Sequence, residues 1–466
     1  MMAALALLAS APVSCNPDNG ESGEGKKETV DLSKLDPVSL NKVITGDNWV
    51  FSGKPQLSAK LKNPNSVELE VEVGLTIKTD IEKAVVYQDS KQVKLVPNEP
   101  VIVDLTTKDN LDPGFYTAYI SVDKPRAKMI SFTFGVDPTS IVSAPFDYIS
   151  KEDFESFWKA AKDQLEAIDN MVVSKRKIDG KSSDASNGRT VYMVELNSIP
   201  NGTSGAPEVV RGYYCEPNDG QKHPVIMHFF GYDSQPSFMH APSGGSSNYA
   251  EFYMSCRGQM LNNRTASNRD DGIAEDYTNT YGDWFAYNFG QRDAYYYRGA
   301  FMDCVQAVRF MAAQPTSDTD RFYAEGSSQG GAFTYAAASL SDLQFAAIVP
   351  NVAFLGDFPH YFKIVTWPAE TAKKNQGSMT DEQMYQFLSY FDTKNLATRI
   401  SCPVLATIGM QDKTCPPHTN IAPYNNLKST DKQVRFYAEM GHDYPQDWDT
   451  ILSSFITSHP SASQAQ

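Results

Sequence analysis

One segment of the chain stands out for its chemistry. Phe322-Tyr323-Ala324-Glu325-Gly326-Ser327-Ser328-Gln329-Gly330-Gly331 puts Gly326, Ser328 and Gly330 in the G-x-S-x-G pattern. In that pattern a strand turns sharply into a helix and lifts a serine hydroxyl clear of the backbone. The turn is strained, so the residues around the serine must be small, and here they are Gly, Ser, Gly and Gly. A short strand over Arg321–Ala324 and an Ala-rich helix over Gln329–Leu340 are predicted on either side. A helix N-terminus beneath Ser328 favours developing negative charge, and the backbone N–H of Gln329 is a candidate oxyanion donor. Ser327 is the neighbouring rival, but it is out of register with the glycines.

A serine hydroxyl is a weak nucleophile unless a base takes its proton and an acid orients that base. On a strand–turn–helix elbow the chain order is Ser, then Asp or Glu, then His. His360, His418, His442 and His459 follow Ser328. His442 lies in Glu439-Met440-Gly441-His442-Asp443, directly after a predicted strand over Val434–Ala438. Loops at that edge of an open α/β sheet hold ligands. His418 is the main rival base. Asp412 follows a predicted strand over Pro403–Gly409 and is the candidate acid, with a turn-forming aspartate as the blander alternative. Asp443 follows the base in sequence and is at most a supporting contact. The predicted strand Pro224–Phe230 runs into Gly231-Tyr232, where the Tyr232 N–H is the second candidate oxyanion donor.

These loops need a sheet to hold them. Asp153–Ile168 has helical apolar spacing, with Ser150 as a plausible N-cap. Beyond it the predicted elements alternate. The strand Pro224–Phe230 precedes a helix over Tyr297–Gln314, then the elbow. Strands over Ala346–Pro350, Pro403–Gly409 and Val434–Ala438 and a last helix over Asp447–Thr457 follow. Such alternation predicts a mostly parallel sheet with helices on both faces, the α/β-hydrolase arrangement, over residues 141–460, with a tail at 461–466. Two excursions interrupt it, about 233–293 and 353–399. Tyr281, Trp284 and Phe285 in the first suit either a sugar-facing pocket or core packing.

Residues 39–140 read differently. Alternating Ser66–Lys78 and the strands Val93–Val96, Val101–Leu105, Tyr116–Val122 and Met129–Val136 are separated by Pro-, Asn- and Gly-containing turns, as in a small all-β immunoglobulin-like sandwich. Residues 16–38 are polar and read as a tether. Residues 1–15 form an apolar run ending Pro12-Val13-Ser14-Cys15, a signal peptide with a lipobox-like end that would anchor Cys15 by lipid in a bacterial cell envelope. An ordinary signal peptide with an incidental Cys is the alternative. The remaining five cysteines show no CxxC or zinc-finger spacing and read as mostly buried, with room for one disulfide.

Three motifs occur together: Arg257-Gly258-Gln259, Gly326 to Gly331, and Gly441-His442-Asp443. With Asp293 to Arg298 and Gly409 to Pro417 they resemble the acetyl xylan esterase and cephalosporin C deacetylase family, carbohydrate esterase family 7. The resemblance spans about residues 145–458. It implies Ser328, Asp412 and His442 as nucleophile, acid and base, an oxyanion hole from Tyr232 and Gln329, and a structural part near the site for Arg257, Gly258 and Gln259. It also implies small acetylated carbohydrates as substrates and a homo-oligomer. The chain departs from the family in two ways. Asp443 stands where Glu is usual, and the β-rich N-terminal domain is extra and stands in the way of the family's hexamer.

The expected chemistry is ester hydrolysis through an acetyl-enzyme, with no cofactor and no metal. A serine peptidase of the same fold and an inert glycan-binding surface lipoprotein are the rival readings. A formal charge of −15 disfavours nucleic acid as a partner. The sole membrane contact expected is the lipid at Cys15.

Overall fold

The computed structural model describes residues 30–178, 188–232, 248–259 and 281–464. The proposed signal peptide and most of the tether lie outside these residues. Strands β1 (Ser39–Val43), β2 (Val50–Phe51), β3 (Ser58–Lys62), β4 (Leu69–Thr79), β5 (Val85–Leu95), β6 (Pro100–Asp104), β7 (Gly114–Val122) and β8 (Lys128–Val136) come first. They form two sheets, ordered β1-β3-β6 and β2-β8-β7-β4-β5. Alternation explains the sandwich: Val71, Val73, Leu75 and Ile77 of β4 point into a core shared with Trp49, Ala118, Ile120, Phe132 and Phe134. The strand predicted at Val93–Val96 is the end of a longer β5. Most of β5 is exposed at the sheet edge, and its Gln, Asp, Ser and Lys blur the alternation. Charged side chains along such an edge discourage pairing with another chain.

Helix α1 (Lys151–Glu166) opens the second domain, with the Ser150 hydroxyl accepting from the Asp153 N–H. Its buried stripe is Phe154, Phe157, Trp158, Ala161 and Leu165. Then follow β9 (Val172–Lys177), β10 (Arg189–Ser198), β11 (Glu208–Pro217), β12 (His223–Phe229), β13 (Ala250–Ser255), α2 (Tyr296–Ala312), β14 (Ser317–Ser327), α3 (Gln329–Leu340) and β15 (Ala347–Asn351). Four helices occupy the second excursion: α4 (Phe358–Ile364), α5 (Ala369–Asn375), α6 (Asp381–Ser389) and α7 (Thr393–Ala397). The chain ends with β16 (Val404–Gly409), α8 (Pro417–Asn425), β17 (Lys432–Tyr437) and α9 (Trp448–Ser458). The sheet order is β17-β16-β15-β14-β12-β13-β11-β10-β9. Neighbours from β17 to β13 are parallel, while β9, β10 and β11 join antiparallel. The fold is an α/β-hydrolase preceded by a β-sandwich. The sequence signals do not reach β9, β10, β11 and β13. The tail predicted from 461 is not wholly loose: Ala462 is buried and Ser463 bonds Asp320.

Cys215, Cys256, Cys304, Cys402 and Cys415 are all unpaired and buried. Burial pushes the Cys256 and Cys402 thiols up to about 12. No helix among the described residues is long and apolar enough to cross a membrane.

Candidate active site

The strand-to-helix turn behind β14 holds Ser328 at φ 60° and ψ −120°, in the positive-φ region that side chains rarely adopt. Its flanking glycines are required. A Cβ on Gly326 would lie 2.4 Å from the Gly330 carbonyl oxygen, and one on Gly330 2.1 Å from that of Phe229. The strand end and the helix start are thus packed backbone to backbone, which aims the Ser328 hydroxyl out of the sheet.

His442 Nε2 lies 2.9 Å from Ser328 Oγ, and its Nδ1 lies 2.8 Å from Asp412 Oδ2. The other carboxylate oxygen, Asp412 Oδ1, accepts from the N–H groups of Thr414 and Cys415. Asp412 is therefore fixed on both oxygens and buried, while the imidazole stays partly open to solvent. The two loops also touch directly. A Cβ on Gly409 would sit 2.4 Å from the Gly441 carbonyl oxygen, so only glycine lets the acid and base loops come this close.

Asn351, at the end of β15, links these parts, and nothing in the sequence marked it. Its side-chain amide donates to Ser327 Oγ at 2.9 Å and to the Asp443 carbonyl at 3.0 Å, and its oxygen accepts from Thr407 Oγ1 at 2.6 Å. Ser327, the rival nucleophile, is thus a hydrogen-bond partner of the scaffold. Asp443 offers its carbonyl to that link and its carboxylate to the neighbouring Tyr444 N–H.

Gln329 begins α3, whose first N–H groups have no intrahelical carbonyl to bond. Its own side chain points inward, accepting from the Tyr297 hydroxyl. A Cβ on Gly231 would lie 3.8 Å from Ser328 Cβ, so the Gly231–Tyr232 backbone runs close beside the elbow. The Tyr232 hydroxyl donates to Asp283 Oδ1 at 2.6 Å, and its ring meets Trp284, Phe354 and Trp367. Trp284 and Phe285 are fully buried and Tyr281 nearly so, which settles these three as core packing.

Gln259 donates to the Gly231 carbonyl at 3.3 Å, steadying the loop that carries Tyr232. Arg257 is fully buried against Asp303, with Nε 2.9 Å from Oδ2 and Nη2 2.6 Å from Oδ1. It also donates to Asn201 Oδ1 and the Ile199 carbonyl. Gly258 turns the chain between them at φ 81°. A Cβ on Gly299 would lie 1.9 Å from the Arg257 guanidinium, so α2 needs glycine there. Asp303 and Gly299 escaped the sequence reading because each gains its meaning only from Arg257.

The other histidines are elsewhere. His418 lies against the sandwich, with Nδ1 3.3 Å from Asp80 and Nε2 3.5 Å from Asp357. His360 bonds Asp357, and His459 bonds Asp431 and the Phe455 carbonyl. His228 on β12 sits between Glu325, at 2.6 Å, and Glu251, at 3.2 Å. Burial disfavours its charge, but the two carboxylates overcome that and hold it at about 9.

Residues 147–458 match the family model for acetyl xylan esterase. The acetyl esterase Axe7A of Xylanibacter ruminicola is 26% identical over 366 residues, which cover 78% of this chain and 76% of that one. An acetyl xylan esterase from Paenibacillus sp. R4 superimposes with a TM-score of 0.54 at 26% identity, covering 66% of this chain and 94% of its own. Acetyl xylan esterase 1 from Thermoanaerobacterium sp. JW/SL YS485 gives the same TM-score and coverage at 23% identity.

Proposed function

Because this chain belongs to the acetyl xylan esterase family, a family of serine carboxylic-ester hydrolases that remove acetyl groups, we propose that Ser328 is its nucleophile, His442 its base and Asp412 the acid that orients the base. The observation that carries this is the unbroken relay from Ser328 Oγ through His442 to Asp412 at 2.9 and 2.8 Å. His442 takes the hydroxyl proton as Ser328 attacks the acetyl carbonyl. The N–H groups of Gln329 and Tyr232 receive the oxyanion, each such donor being worth about 3–4 kcal/mol of barrier. His442 returns the proton to the departing sugar oxygen, then activates the water that frees acetate.

The substrate we propose is an acetylated xylo-oligosaccharide or the acetyl ester of a similar small alcohol, in line with the acetyl esterase and acetyl xylan esterase that the chain resembles. The test is acetate release from acetylated xylo-oligosaccharides, with cephalosporin C and a peptide p-nitroanilide alongside and Ser328→Ala as control. Release from the xylo-oligosaccharides that vanishes in Ser328→Ala supports the proposal. Equal hydrolysis by both proteins, or cleavage of the anilide alone, sinks it. We also propose export with a lipid anchor at Cys15 and assembly into a homo-oligomer. Cys15→Ala then leaves the membrane fraction, and sizing of the purified chain shows more than one copy per particle.

A further inference from the structure

The sandwich precedes the residues that match the family, and nothing so far gives it a task. We infer that it is a working part of the active site: it holds both ends of the loop that carries Asp412, with Gln411 as the positioning residue. The inference rests on the triad proposed above.

Strand β8 is overlaid by β2 at Gly135 and Val136. At Thr133, which faces Thr117 of β7, the Gln411 side chain takes the outer edge. Its oxygen accepts from the Thr133 N–H at 3.0 Å, and its nitrogen donates to the Thr133 carbonyl at 3.1 Å. The carboxamide thus fills the place of one peptide unit of a neighbouring strand, and it satisfies edge groups that otherwise invite another chain. The same nitrogen donates to the Ala438 carbonyl at 2.8 Å, just past β17. The Gln411 backbone N–H donates to the Met440 carbonyl at 2.9 Å. One residue therefore joins the sandwich to the acid loop and to the loop that delivers His442, and its peptide neighbour is Asp412.

The far end of the acid loop runs into α8, where His418 is almost fully buried beside Asp80 of the sandwich. Around His418 stand Asp80, Asp357 and His360, and Lys394 balances Asp357 from its other oxygen. The ring of Phe115 from β7 packs on His418 and on Phe436 of β17 and belongs to the hydrolase core. Ala438 in turn belongs to the sandwich core. The domains interlock on both flanks of the loop, so it has little slack.

A displacement of about 1 Å in a catalytic group costs roughly a hundredfold in rate. In the full-length protein, Gln411→Met keeps the side-chain length and removes the amide. It should lower kcat on p-nitrophenyl acetate about ten- to a hundredfold with KM within twofold. Asp80→Asn, at the other end, should shift kcat in the same direction. Glu82→Gln breaks an exposed interdomain pair with Lys363 away from the loop and should leave kcat and KM unchanged. The inference is overturned if Gln411→Met folds with kcat within twofold of the parent, or if Glu82→Gln loses as much activity. If Gln411→Met does not fold, an unchanged kcat in Asp80→Asn overturns it. Ser328→Ala run in parallel separates the two readings. Should it match the parent, the triad fails and this inference with it. Should it be inactive while Gln411→Met is fully active, this inference alone fails.

Discussion

Replacing Asn351 with alanine tests whether the elbow and the base loop are coupled through one side chain. Asn351 is fully buried at the end of β15 and makes three side-chain hydrogen bonds, to Ser327, Thr407 and the Asp443 backbone. A net value near 1 kcal/mol for each puts the loss of stability at about 3 kcal/mol. The catalytic effect is separable. The His442 loop keeps its bonds to Gln411 and Asp412, so it should shift by less than the distance that costs a hundredfold. A tenfold fall in kcat, or about 1.4 kcal/mol of barrier, is the expected size. Urea denaturation measures the first quantity and steady-state hydrolysis of p-nitrophenyl acetate the second. A full stability loss with unchanged kcat would show that Asn351 packs the sheet without aligning the base. An unchanged denaturation midpoint would show that its hydrogen bonds are replaced by water at no cost.

Arg257→Met leaves Asp303 buried without its counter-charge and should cost about 3–5 kcal/mol in urea denaturation, while pairing it with Asp303→Leu should recover most of that. Gly330→Ala forces the elbow away from the end of β12 and should cut kcat about a hundredfold, with circular dichroism unchanged. The His228 charge is held to about 9, above the ordinary histidine value of 6.5, so its stabilisation is complete below about 6.5 and is lost as pH rises through about 9. The stability gap between the parent and His228→Gln should therefore be widest at pH 6 and narrow by pH 9.5. Parallel curves across that range would contradict it.

That the side chains of Ser328, Asp412 and His442 meet could be read from the chain because backbone constraints write themselves into sequence. A sharp elbow demands glycines at fixed offsets, and strand ends before Asp412 and His442 put both groups on one edge. The sandwich showed itself through the strand patterns of β4, β6, β7 and β8, whereas exposed β5 showed only its end at Val93–Val96. Asn351, Asp303 and Gln411 carry no such mark. Each is an ordinary polar residue whose partner lies dozens or hundreds of positions away, and their pairing exists only after the sheet assembles. His418 shows the converse: its position near Asp412 suggested a base, but burial beside Asp80 and Asp357 gives it structural neighbours instead. The antiparallel β9–β11 extension went unread for a similar reason, since its place is set by pairing with β13 and not by alternation with helices.

The five buried thiols have a practical consequence. Each of these sulfurs is buried and unpaired, so the described residues close their tertiary structure without a covalent cross-link. No oxidant is needed to reach the native state of the described residues, because no bond between these sulfurs has to form. Refolding therefore calls for a reducing buffer that keeps the thiols of the unfolded chain from pairing, and in the native protein these five sulfurs become available to an alkylating reagent only as the surrounding core opens.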